Sequence, residues 1–161
     1  MRWIAIFALM MLTACSSGGR DADAASAVRA ALNVLAAGLS SEDPILASEP
    51  IGQQFFLGSE VASRYTFEWD ANEGTPAVGR FRTFFSDAFA RFANVQQQFT
   101  VEDVETNGSL ATVRVESRFD AIRIDSTPAL NVTFSTTDYM LFELQAGGWR
   151  LIRWDEQPPT E

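Results

Sequence analysis

The chain contains no histidine and no lysine, and it has a single cysteine, Cys15. Without histidine, the usual general base at neutral pH is missing. His–Asp dyads, Ser–His–Asp triads and histidine-based metal sites are excluded with it. One cysteine cannot form an internal disulfide. Positive charge is scarce: 12 basic residues, all arginine, face 21 acidic ones, for a formal net charge of −9. Such a surface repels phosphate backbones, so no nucleic-acid partner is expected. There is no internal repeat and no low-complexity tract. Two stretches only begin like calcium loops. Asp103-x-Glu105-x-Asn107-Gly108 has Arg114 at its twelfth position, where a bidentate Glu is needed, and Asp70-x-Asn72-x-Gly74 places its glycine one residue early and ends on Phe81. No metal and no cofactor are expected.

What is present begins with an export signal. Arg2 supplies a positive start and Trp3 to Leu12 an apolar run too short to span a bilayer permanently. The following Leu12-Thr13-Ala14-Cys15 resembles the lipobox of bacterial lipoproteins. That resemblance implies a diacylglyceryl thioether on Cys15, cleavage just before it, and acylation of the new amino terminus. Lipidation would also remove the one thiol nucleophile. Each buried acyl methylene contributes ~0.8 kcal/mol, so two or three chains anchor firmly. Ser16 stands where Asp would favour inner-membrane retention in enteric-type sorting, and the expected location is the bacterial cell envelope, at the outer membrane. The expected organisation is a cleaved signal over 1–14, a lipidated cysteine and flexible tether over 15–23, a domain over 24–156 and a tail over 157–161.

Inside the domain, Val28, Leu32, Leu35 and Leu39 form one apolar stripe at helical spacing. Asp43-Pro44 reads as the N-cap and first residue of a second helix, kept short by Pro50 and Gly52. From Gln53 to Gly79 the pattern is weak. Tyr65, Phe67 and Trp69 alternate with polar residues, as in a short strand or an aromatic loop, and 72–76 reads as a turn. Phe81, Phe84, Phe85, Phe89 and Phe92 then mark a core-facing helix over Arg80 to Ala93. From Gln97 the period changes to two. A bulge is expected near Glu102-Asp103 and a hairpin turn at Asn107-Gly108. Ala111, Val113, Val115, Ser117 and Phe119 share one strand face; Leu130 to Leu144 and Trp149 to Asp155 complete an antiparallel meander.

This order of elements, ending in Gly-Gly-Trp-Arg-Leu-Ile-Arg-Trp-Asp, resembles the nuclear transport factor 2-like (ketosteroid-isomerase-like, SnoaL-like) cone. The resemblance covers Ala24 to Glu156. It implies an α+β fold with N-terminal helices packed on a curved antiparallel β-sheet, which can leave a pocket at its open end. That family spans isomerases, dehydratases, cyclases, transport adaptors and members without known activity, and no catalytic signature of an enzymatic branch can be placed on these residues.

Parity singles out one acid. Leu130, Val132, Phe134, Met140, Phe142 and Leu144 share a face on which Thr136 and Asp138 are the polar intruders. Desolvation there would suit a catalytic carboxylate, so Asp138 is the candidate base. Ser117, Thr136 and Asp138, with Tyr65 and Trp69, are the ligand-pocket candidates. On the opposite face a symmetric turn would set Trp149 and Leu151 beside Tyr139 and Leu141 as an interface patch; a bulge would change that parity. Three functions are compatible with these features. The first is a non-catalytic lipid-anchored module that dimerises or docks on an envelope partner. The second is a carrier of a small apolar ligand in the cone. The third is a cofactor-free isomerase or dehydratase with a carboxylate base.

Overall fold

A computed structural model describes residues 17–65 and 76–158. The Val28–Leu39 stripe lies on helix α1 (Ser17–Ser40), and all four of its side chains are buried. The helix starts at Ser17, so the stretch from 17 to 23, expected as flexible tether, is helical. At its far end Glu42 adopts φ 56°, and the amide of Asp43 returns to the Gly38 carbonyl. Asp43 then caps α2 (Pro44–Ala47), its Oδ1 accepting from the amides of Ile45 and Leu46 at 2.9 and 3.1 Å. The α1–α2 corner is tight. A Cβ on Gly38 would stand 2.2 Å from the Ala47 amide nitrogen, which is why that position carries none.

Three departures from the expected layout follow. Strand β1 (Ile51–Leu57) occupies the weakly patterned stretch and runs parallel to the last strand, so the sheet is mixed rather than antiparallel throughout. Helix α3 (Ser59–Arg64) is only six residues long, too short for periodicity to reveal. Helix α4 covers Ala77–Phe89, and Phe92 belongs instead to β2 (Phe92–Asn107). Phe81, Phe84, Phe85 and Phe92 are nonetheless buried, and Phe89 packs beside them.

The meander is completed by β3 (Leu110–Arg123), β4 (Leu130–Gln145) and β5 (Gly148–Asp155), in sheet order β1-β5-β4-β3-β2. On β3 the odd residues from Ala111 to Ala121 are buried, as the alternation requires. Glu102 is the extra residue of a bulge, since Val101 pairs with Val115 and Asp103 with Arg114. Asn107 pairs with Leu110, which moves the turn one residue on, to Gly108-Ser109; the positive φ of 64° falls on Gly108. A second bulge places Ile152 between Leu151, opposite Phe142, and Arg153, opposite Leu141. Such insertions bend the strands, and the curved sheet receives α1 and α4 on its concave face.

Candidate functional site

Asp138 faces inward, as parity requires, and is fully buried. It is also fully engaged. Arg64, the last residue of α3, donates from Nη1 to Oδ2 at 2.9 Å and from Nη2 to Oδ1 at 2.8 Å. Trp154 Nε1 donates to Oδ2 at 2.7 Å, and Thr136 Oγ1 to Oδ1 at 3.1 Å. A carboxylate offers about four acceptor directions, and here each oxygen already serves two donors. The fork-to-fork arrangement is the strong, geometrically specific form of an arginine–carboxylate pair.

The Arg64 side chain is itself only 7% exposed. Burial works against its charge, but the hydrogen bonds and charge of Asp138, followed by those of Glu156, outweigh that and hold the guanidinium above its ordinary pKa. Glu156 accepts from Arg64 Nε at 3.1 Å and from Nη2, and it is partly exposed. Arg64 Cζ lies 5.3 Å from the ring centre of Phe134. The charge therefore runs from Asp138 through Arg64 to a rim residue.

Tyr65, next in the chain, points into the aromatic core. Its ring meets Phe85, Phe119, Phe84 and Trp154 edge-on, with centroids 4.9, 5.3, 6.1 and 6.4 Å away. Its hydroxyl donates to Gln97 Oε1 at 2.9 Å, and Gln97 Nε2 donates to Ser117 Oγ at 2.9 Å. Burial pushes the Tyr65 phenol well above its usual range. Ser117 and Thr136 are directly opposed on β3 and β4. Four of the five pocket candidates, Tyr65, Ser117, Thr136 and Asp138, thus meet in one polar seam through an aromatic core. Trp69 lies outside the described residues, as does Cys15.

No known family profile matches the sequence, and no curated protein sequence does. Solved structures do match. An NTF2-like protein with a cystatin-like fold from Novosphingobium aromaticivorans superposes with TM-score 0.64 at 15% identity, covering 91% of this chain and 88% of that one. A nuclear transport factor 2-like superfamily protein from Salmonella enterica serovar Typhimurium gives 0.59 at 14%, covering 87% and 94%. The chain has the nuclear transport factor 2-like fold. A candidate scytalone dehydratase, also from Novosphingobium aromaticivorans, shares it with TM-score 0.66 at 8% identity, over 89% of this chain and 93% of that one. At such identities the likeness is one of fold alone.

Within this nuclear transport factor 2-like cone, sequence reasoning found the acid and missed its cation. Arg64 lies on a helix of six residues, and the one signal that could have found it is the general rule that a buried acid requires a partner. Gln97 was missed too, standing at the expected edge of the sheet. The interface patch is corrected in half its members. The turn takes only two residues, Ala146-Gly147, so Trp149 pairs with Leu144 and Leu151 with Phe142 on the inner face, where Leu151 is fully buried and Trp149 packs against the core; the bulge at Ile152 then brings Trp154 inward opposite Met140. Tyr139 and Leu141 do lie on the other face, half-buried, with Arg153 opposite Leu141 and 5.3 Å from the exposed Phe56 ring. Among the described residues no three His, Cys, Asp or Glu are grouped to hold a metal ion, and no helix is long and apolar enough to cross a membrane.

Proposed function

We propose that this protein is a non-catalytic lipoprotein of the bacterial envelope, anchored through Cys15, whose cone is a scaffold for association with a second copy or an envelope partner. The observation that carries the non-catalytic part is the saturated carboxylate of Asp138. A general base must accept a proton from substrate at hydrogen-bond distance. Asp138 would first have to release Arg64, breaking a buried ion pair at a cost of several kcal/mol, or Trp154, leaving a buried N–H unbonded at about 1–3 kcal/mol. The isomerase or dehydratase reading, for which the candidate scytalone dehydratase of the same fold is a precedent, is disfavoured on this ground. A ligand in the cone is less favoured for a related reason: the seam that would line it is bonded to itself.

The Leu-Thr-Ala-Cys sequence supports the anchor, and the outer face carrying Phe56, Tyr139 and Leu141 is the surface offered to a partner. The test is fractionation of bacteria expressing the full chain or a Cys15→Ala variant, followed by sedimentation of the extracted protein. The native chain should partition with membranes and the variant should not. Leu141→Asp should then shift the assembly state of the extracted chain. Equal partitioning of both chains would overturn the anchor, and unaltered sedimentation would overturn the assembly surface.

A further inference from the structure

A groove of about 400 Å³ lies outside the cone, where α2, β1, the start of α4 and the β4–β5 turn converge. That volume is in the range of small-molecule sites. Its apolar side is formed by Ile51 and Val78, both packed on the core. Its polar side is unusual in a protein of net charge −9. Arg64, Arg91, Arg114, Arg118, Arg123 and Arg153 all pair with carboxylates. Among the described residues, Arg82 and Arg150, which both line the groove, are bonded only to neutral oxygens.

Each of the two is also held in place. Arg82 Nε donates to Ser48 Oγ at 2.7 Å, and the buried Ser48 hydroxyl donates in turn to the Ile45 carbonyl at 2.7 Å. Among the described residues the terminal nitrogens of Arg82 have no acceptor. Arg150 donates from Nη1 to the Glu49 carbonyl and from Nη2 to that of Gly147 at 3.2 Å. Glu49 also borders the groove and Glu143 stands opposite Arg150 across β4 and β5, but neither forms an ion pair with Arg82 or Arg150 among the described residues. Among the described residues both guanidinium groups thus keep N–H donors with no carboxylate on them, beside an apolar wall.

From this geometry we propose that the groove binds a small organic acid: the carboxylate engages Arg82 and Arg150, and a short hydrocarbon portion lies on Ile51 and Val78. The guanidinium fork matches a carboxylate bidentately. The apolar wall distinguishes an organic acid from an inorganic anion.

Isothermal titration of the full chain in nonionic detergent with hexanoate, hexanol and inorganic phosphate tests this. Hexanoate should bind saturably, with hexanol and phosphate each at least about tenfold weaker, as expected when a charge-assisted pair or the apolar contact is lost. Arg82→Gln and, independently, Arg150→Gln should each weaken hexanoate about tenfold, with thermal melting used to confirm that at least one variant is folded. Absence of saturable hexanoate binding, equal binding of phosphate, or hexanoate binding unchanged in a folded variant would overturn the proposal.

Discussion

Replacing Arg64 by methionine keeps a long apolar stem and removes the charge that faces Asp138. The carboxylate then retains only Trp154 Nε1 at 2.7 Å and Thr136 Oγ1 at 3.1 Å. Because Asp138 is fully buried and Arg64 nearly so, the loss leaves an uncompensated ion in the core, at about 3–5 kcal/mol. In a domain of this size that lowers Tm by roughly 10–15 °C. Urea unfolding followed by Trp fluorescence would measure it. Combining Arg64→Met with Asp138→Leu should recover about half of the loss, leaving the cost of the orphaned Trp154 donor, about 1–3 kcal/mol. A loss below about 1 kcal/mol for Arg64→Met, typical of solvated surface pairs, would refute the reasoning.

Three further outcomes follow from particular contacts. Tyr65→Phe should cost about 1–2 kcal/mol by orphaning Gln97 Oε1. Because burial raises the Tyr65 phenol, the unfolded chain ionises it first, near ~10. That contribution is therefore complete below about pH 10 and declines as pH rises further, and urea midpoints at high pH should lose that slope in the variant. Gly38→Ala should destabilise by about 3 kcal/mol, because the new Cβ would meet Ala47 backbone atoms at 2.2 and 2.4 Å that cannot rotate away; thermal melting reads it. Leu151→Asp should prevent folding, since Leu151 is fully buried. Leu141→Asp, on the outer face, should leave circular dichroism unchanged; the reverse ranking would contradict the β4–β5 register that pairs Leu151 with Phe142.

The contrast between those two leucines shows what was legible in the sequence. Long elements with one exposed face announced themselves: the α1 stripe, the phenylalanine helix and the β3 alternation all place their buried residues as read. Asp43 was legible because capping is local chemistry. The bulge at Glu102 left its mark as a parity change between Val101 and Val104. The two-residue β4–β5 turn and the bulge at Ile152 left none, because Trp149, Leu151, Ile152 and Trp154 are apolar whichever way they point. Strand β1 was hidden because it is short, follows Pro50, contains Gly52, and pairs with a strand some hundred residues away in sequence. Helix α3 was hidden by its length. With it went Arg64, so the acid of the site was readable from parity while the residue that decides its chemistry was not.

The indole N–H of Trp154 reports directly on whether the seam around Asp138 is closed. Its hydrogen exchange, followed by NMR in the native chain, should be slow and governed by near-global unfolding, because its acceptor is a buried carboxylate also held by Arg64. Exchange at the rate of an exposed indole would mean that the carboxylate is open to solvent and available to a substrate, contradicting the scaffold account.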